Sequence, residues 1–265
     1  MKLYLVRHGQ TDWNVLHRIQ SGGAAEVDLN ATGVAQAEAA AEGLVHSGLA
    51  FDRIYASPYR RARHTAEIIC SRIGGAPVLD DRLREFEFGD YNGTSYGEAG
   101  YIDDNIRAAF ENPPAFVPHG GESYAQFLAR VGDFLESELK PLEGKCGKVL
   151  VVAHRGVLNA VATILEKRDL SQFWKSDTGN CGMDVAELHG GIFTLVQHGV
   201  DLRAADGQLE AFRLVVSRQS WERAVFLAGQ DCRYRNYRTT MTNGISPPTR
   251  TRPSPVTTPG RVPAR

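Results

Sequence analysis

The chain is short of cysteine, of long apolar runs and, over its first 232 residues, of positive charge, and each shortage closes off a class of protein. Its four cysteines, Cys70, Cys146, Cys181 and Cys232, lie far apart and form no C-x-x-C pair. Neither a disulfide framework nor a zinc cluster is therefore expected, and the thiols read as inert and partly buried. No run of about 18 apolar residues occurs, which removes the signature of a membrane-spanning helix. The N-terminus, MKLYLVRHGQTD, turns polar without the small-residue cleavage site of a secretory signal. A soluble, cytoplasmic protein with no membrane partner is the expectation. Residues 233–265 hold seven Arg and no acid, so removing them from the 30 Lys and Arg leaves 23 against 31 Asp and Glu, a charge of −8 over residues 1–232. A body this acidic is a poor general binder of nucleic acid, and none is expected as a partner. No internal repeat is present.

What the chain does have is a hydrophobic content of 42% over 265 residues, ample for a buried core. Residues 2–6 (KLYLV) read as a short buried strand, closed by the Gly-containing segment RHGQTD. A helix is predicted over 32–46, capped by Thr32 and stopped near Gly48. The strand RIYAS (53–57) runs into Ser57-Pro58, an N-cap followed by a proline suited to a first helical position. A short strand near Val78 leads to the loop LREFEFGDYNG (83–93), an aromatic and polar stretch follows, and a helix is predicted from Glu122 to Lys140. Lys148 to Ala153 (KVLVVA) form the most apolar strand, and GVLNAVATILEK is helical. Two closing strands fall around MDVAEL and IFTLVQH, separated by HGG. Strands alternating with helices imply an α/β, three-layer α/β/α sandwich on a mostly parallel sheet. One domain is expected over 1–198, an extension without a clear pattern over 199–238, and a disordered Pro/Thr/Arg-rich tail over 239–265.

Ligands of open α/β sheets collect at the carboxyl ends of the strands. Two histidines stand there, His8 after the first strand and His154 after KVLVVA. If those strands are neighbours, the two imidazoles face one crevice. Adjacent strand residues point to opposite faces, so Arg7 and His8 share a site only if the chain turns at once, which Gly9 permits. Arg61 falls in the first turn of the helix after Ser57-Pro58, where free N–H groups already favour an anion. Arg7, Arg61 and the two histidines make a pocket suited to a dianionic phosphoryl group.

These residues resemble the motifs of a known family. LVRHGQTDWN (5–14), SPYRRARHTAEII (57–69), LREFEFGDYNG (83–93) and VLVVAHRGV (149–157) are similar, in that order, to the motifs of the histidine phosphatase superfamily, and PHGGES (118–123) resembles its usual entry to the following helix. That superfamily includes cofactor-dependent phosphoglycerate mutases and many small-molecule phosphatases. The resemblance implies a phosphoglycerate mutase-like fold in which His8 attacks phosphorus, Arg7, Arg61 and His154 hold the phosphoryl oxygens, and Glu85 protonates the leaving oxygen. Neither a metal nor another cofactor is implied, and the partner is a small phosphorylated metabolite. A neutral imidazole is a good nucleophile at pH 7, and fixed cationic donors stabilise the charge of the transition state. Spacing alone leaves Glu87 exchangeable with Glu85; the resemblance selects Glu85. Asn14 resembles the family's phosphate-contacting Asn. Gln20, Ser21 and Arg155 are candidate substrate-binding residues, and Trp13 and Tyr91 are expected to pack the wall of the site.

The sequence also departs from the family. Arg155-Gly156 follows the second histidine and places an additional cation at the mouth, which raises the possibility of a second anionic group on the substrate. Mutases resemble one another in an E-R-H-Y-G-type segment and an Asn two places after the second histidine, where this chain has Glu85-Phe86-Glu87-Phe88-Gly89 and Gly156. A phosphatase is therefore favoured over a phosphoglycerate mutase. A catalytically inactive binding module of the same fold is a third reading.

Overall fold

The computed structural model describes residues 1–96, 104–175 and 178–202, all within the compact unit Met1–Arg213. The extension expected over 199–238, beyond its first four residues, and the tail over 239–265 lie outside the described residues. Strand β1 (Lys2–Arg7) is buried at its four central positions and β4 (Lys148–Ala153) at all but its first, so both faces of each are covered. With β2 (Arg53–Ala56), β3 (Val78–Leu79), β5 (Gly182–His189) and β6 (Ile192–Asp201) they form a six-stranded sheet in the order β3-β2-β4-β1-β5-β6. The first four are mutually parallel where they pair, whereas β5 runs antiparallel to β1 and β6 to β5. The HGG turn explains that reversal, because Gly190 and Gly191 adopt φ of 59° and 75° and close a hairpin. β6 continues past His198, where the domain was expected to end.

The helices are α1 (Asp12–Val15), α2 (Ala31–His46), α3 (Arg60–Ile73), α4 (Asp104–Glu111), α5 (Tyr124–Asp133) and α6 (Arg155–Glu166). α2 packs on α3 and α5 on α6. Several boundaries differ from expectation for identifiable reasons. Asn30, not Thr32, caps α2, its Oδ1 accepting from Gly33 N at 2.9 Å. α3 starts at Arg60 with no side-chain cap, because Ser57 is used elsewhere. Ser123 opens α5 through a capping box with Gln126. The same stretch then continues to Leu139 in wider turns. α4, in the stretch read as irregular, was not anticipated.

The core is aromatic beside the 83–93 loop: Phe86 is wholly buried, stacks on Tyr124 at 4.4 Å and meets Phe127 edge-on at 5.4 Å. Arg130 of α5 pins that loop, donating to the carbonyls of Arg82, Arg84 and Glu85 at 2.7–2.9 Å. Behind β1 two backbones touch. A Cβ on Gly9 would lie 2.5 Å from the Gly33 carbonyl oxygen, and one on Gly33 would overlap the Gln10 carbonyl oxygen. No side chain there can swing away. Gly33→Ala is therefore expected to destabilise the protein by about 1–3 kcal/mol, read as a lower urea midpoint at unchanged m-value; an unshifted midpoint would contradict the close approach.

Candidate active site

The register of the sheet builds the site. Arg7 pairs with Ala153 across β1 and β4, and His8 N–H donates to the Ala153 carbonyl at 2.9 Å. His8 and His154 are thus the first residues beyond two adjacent parallel strands. Ser57 takes the same position after β2, its N–H donating to the Val152 carbonyl at 3.0 Å. The two imidazoles meet at a centroid distance of 5.2 Å and an interplanar angle of 63°.

His8 lines an open cleft of about 500 Å³ together with Arg7, Arg61 and Glu85. Its Nδ1 lies 2.7 Å from the Gly9 carbonyl oxygen. A carbonyl only accepts, so Nδ1 carries the proton and the lone pair resides on Nε2. Burial, then the Arg61 and Arg7 guanidiniums, holds His8 well below the ordinary imidazole range and outweighs that bond. The ring is neutral at pH 7. Gly9 N–H donates in turn to Thr65 Oγ1 at 3.1 Å, and Thr65 donates to the Arg61 carbonyl at 2.7 Å, so the RHG turn is tied to α3.

Arg61 is fully buried, with its terminal nitrogens donating to the carbonyls of Ala24 and Gln20 at 3.0 and 2.9 Å. Burial lowers it to about 10, which leaves it charged. Its Nε is buried without a hydrogen-bond partner among the described residues. Arg7 donates to the Thr178 carbonyl at 2.9 Å. His154, also held neutral by burial and by Arg61, places Nε2 2.8 Å from Ser57 Oγ. Among the described residues Ser57 Oγ meets only that nitrogen and Tyr59 N–H, the latter at 3.3 Å, so Nε2 is the one acceptor for the hydroxyl proton and the imidazole proton goes to Nδ1. His154 Nδ1 is likewise buried without a hydrogen-bond partner among the described residues. Buried donors left open cost free energy, and oxygens of a bound anion would satisfy both.

Glu85 is held in the cleft by Phe86 N–H at 2.8 Å and Gly156 N–H at 3.2 Å. Burial raises its carboxyl above the ordinary value against those two bonds and the charges of Arg61 and Arg7. Glu87 does not reach the cleft. Its carboxylate accepts from Gly22 N–H at 2.8 Å and Gly89 N–H at 3.1 Å and fastens the loop. A Cβ on Gly156 would overlap Glu85 Oε1, so the glycine is what lets the carboxyl lie against α6.

Of the other candidates, Asn14, Gln20 and Arg155 line the cleft. Asn14 Oδ1 accepts from Thr11 N–H at 3.0 Å and from Asn180 Nδ2 at 3.4 Å, leaving its NH₂ as the group to offer a ligand. Ser21 is a correction. It is fully buried and bonded through N–H and Oγ to Asn92 Oδ1, at 2.8 and 3.3 Å, and is absent from the cleft lining. Trp13 and Tyr91 do not form the wall either; Phe88, Tyr96, Phe110 and Trp174 do. No local motif marks Phe110 or Trp174, which only the tertiary fold brings to the mouth.

A neutral imidazole, guanidinium and amide donors and a buried carboxyl on one cleft at the carboxyl edge of a parallel sheet define an α/β site suited to phosphoryl transfer. The comparisons agree. A family model described as the histidine phosphatase superfamily (branch 1) matches residues 3–201, and the chain belongs to that superfamily. A curated protein from Hydrogenobacter thermophilus named putative phosphoserine phosphatase 2 is 33% identical over 196 residues, covering 74% of this chain and 93% of the relative. A 2,3-bisphosphoglycerate-dependent phosphoglycerate mutase from Nitrobacter hamburgensis is 35% identical over 185 residues, 66% of this chain and 86% of the mutase. Among solved structures, a mycobacterial glucosyl-3-phosphoglycerate phosphatase matches with a TM-score of 0.63 at 31% identity, covering 75% of this chain and 98% of that one.

Ser57 is a positioning residue in this arrangement, acting through the tautomer of His154. Ser57→Ala is expected to lower kcat about 10- to 100-fold with a smaller change in KM, by analogy with the loss of an orienting partner elsewhere. Ser57→Thr, which keeps the hydroxyl, is expected to recover most of it. Equal losses in both variants would point to packing alone.

Proposed function

We propose that this chain is a cytoplasmic phosphatase of small phosphomonoesters that works through a phosphohistidine on His8, without a metal or other cofactor. The observation that carries the reading is a neutral His8, its Nδ1 tied to Gly9, on a cleft that Arg61 also lines, with Arg61 Nε and, in the wholly buried His154 ring 5.2 Å from that of His8, Nδ1 left without a hydrogen-bond partner among the described residues. The phosphatase relatives support it. In the first step His8 Nε2 attacks phosphorus as the ester P–O bond breaks, and the departing oxygen takes the Glu85 proton. In the second, water attacks phosphorus, the P–N bond breaks and Glu85 takes the water's proton, restoring both residues and releasing phosphate. Charge developing on the equatorial oxygens is met by Arg7, Arg61, His154 and Asn14, already in place before the substrate arrives.

The alternative, a phosphoglycerate mutase, has the mutase relatives in its favour. Against it, Phe86 is spent in the core, Glu87 on backbone N–H groups and Gly156 on seating Glu85. The three positions at which mutases carry E-R-H-Y-G and Asn contacts are thus occupied by structural duties.

Hydrolysis of p-nitrophenyl phosphate is expected to persist in EDTA and to vanish in His8→Ala; EDTA-sensitive turnover, or turnover surviving the substitution, would defeat the reading. Glu85→Gln is expected to cost about 10²–10⁴-fold on alkyl phosphates and far less on p-nitrophenyl phosphate, whose phenolate leaves unprotonated. The sign with pH follows from the two shifts. Activity on alkyl phosphates rises as pH climbs through the depressed value of His8 and falls as it climbs through the elevated value of Glu85. Glu85→Gln should remove the alkaline fall and keep the acid rise.

A further inference from the structure

A guanidinium has five N–H groups in a rigid fork, and all five of those on Arg130 find acceptors, each in the Glu85 loop or on Glu122. Nη1 donates to the carbonyls of Arg82 and Arg84 at 2.8 and 2.7 Å. Nη2 donates to the Glu85 carbonyl at 2.9 Å and to Glu122 Oε1 at 2.5 Å, and Nε to Glu122 Oε2 at 3.0 Å. Glu122 grips the loop further along. Its Oε1 also accepts from Glu87 N–H at 2.9 Å, and its own N–H donates to the Glu87 carbonyl at 3.0 Å. One two-pronged ion pair, its side chains only 17% and 16% exposed, thus fastens the backbone on both sides of the proposed acid.

Neither Arg130 nor Glu122 lines the cleft, so any effect on the reaction passes through Glu85. The Glu85 carboxyl is seated by Phe86 N–H at 2.8 Å and Gly156 N–H at 3.2 Å, and its depth in the cleft is therefore set by where the loop backbone lies. Phe86 packs that loop onto Tyr124 of the same helix, but a ring stack tolerates sliding, whereas five directed bonds from a planar fork fix both position and rotation. Charge is the other way Arg130 could act. Burial first, then Arg61 and His8, lower His154, and Arg130 adds to them; a lysine at this position keeps that contribution and so separates charge from geometry.

We infer that Arg130 and Glu122 are positioning residues for the general acid: their ion pair sets the Glu85 carboxyl where it meets the leaving oxygen. The inference rests on the phosphatase reading, in which Glu85 protonates that oxygen, and extends it to two residues outside the cleft.

The test compares ethyl, phenyl and p-nitrophenyl phosphate on the full chain, esters whose departing oxygen needs a proton less and less in that order. The readout is kcat/KM, which covers the steps up to departure of the alcohol, and the ratio between two esters does not depend on how much of a variant is folded. Arg130→Lys offers its N–H groups from a single point, so the loop loses directed contacts. It is expected to lower kcat/KM on ethyl phosphate about 10- to 100-fold, as a misplacement of roughly 1 Å does. On p-nitrophenyl phosphate it is expected to stay within about threefold of the parent, with phenyl phosphate between. Glu122→Gln, which retains an oxygen for Glu87 N–H, should shift the same ratio in the same direction by less. Arg130→Lys combined with Glu85→Gln should lose no more on ethyl phosphate than Glu85→Gln alone, because a group already removed cannot be misplaced. A uniform loss on all three esters, no loss, or losses that multiply in the combined variant overturns the inference and leaves the phosphatase standing. A ratio unmoved by Glu85→Gln overturns the acid role in that reading and the inference with it. If Arg130→Lys does not fold, Glu122→Gln decides, and an unshifted ratio there overturns the inference. If ethyl phosphate turns over too slowly to measure, the phenyl to p-nitrophenyl ratio takes its place.

Discussion

Arg61 is a guanidinium with no solvent exposure, held by two backbone carbonyls and, among the described residues, by nothing of opposite charge at hydrogen-bonding distance. Removing a charge from water is among the more expensive things a fold can do, and the expense is usually met by a carboxylate partner. Here the charge is held in readiness for an anion. After burial, that placement weighs on the protonation states around it. It helps to drive His8 and His154 below the imidazole range, so the nucleophile keeps its lone pair without a base, and it acts on Glu85 against the desolvation that lifts the carboxyl. An acidic body surrounds a small positive interior, and the contrast focuses attraction for an anion on the cleft.

Geometry secures what electrostatics requires. His8, His154 and Ser57 each follow the end of one of three adjacent parallel strands, and the backbone bonds of those strands continue into His8 and Ser57. A one-residue slip of register would send His8 to the other face of the sheet. Gly9 and Gly33 allow α2 to close on the turn from one side, Thr65 ties the same turn to α3, and Arg130 fixes the Glu85 loop to α5. Glu85 and His8 thus rest on different elements, each braced from outside the cleft.

How much of this the sequence displayed depended on whether the signal was local. His8 and His154 were legible because a strand end is a local event and the chemistry sits on it. Arg61 was legible for the same reason at a helix start. The capping residues were less so: Asn30 and Thr32 are both good N-caps two residues apart, and only the turn before α2 chooses between them. Ser57-Pro58 read as the N-cap and first helical residue, yet α3 begins at Arg60 after Tyr59 and the folded chain spends the Ser57 hydroxyl on His154. Glu85 and Glu87 differ by which distant backbone N–H groups they meet, that of Gly156 in one case and that of Gly22 in the other, contacts far away in the sequence. The aromatic wall was invisible, since Phe88, Phe110 and Trp174 belong to segments joined by packing alone.

On the proposed mechanism, the opposing shifts of His8 and Glu85 give the site a built-in order of events. In the empty cleft, the cations that favour a neutral His8 also favour an ionised Glu85, and burial alone works the other way. A bound phosphoryl dianion changes that balance. Its charge offsets Arg7 and Arg61 as seen from Glu85 and adds a like charge beside the carboxyl, and both effects favour the proton. Glu85 therefore becomes a better acid-form residue when there is an ester to protonate. Once the leaving alcohol has taken that proton and departed, the carboxylate faces a phosphoryl group bonded to His8, with Arg61 and Arg7 again within reach to stabilise its charge. That is the state in which it can accept a proton from water. One fixed pair of guanidiniums thereby supports the acid in the first step and the base in the second, with the substrate's own charge as the switch.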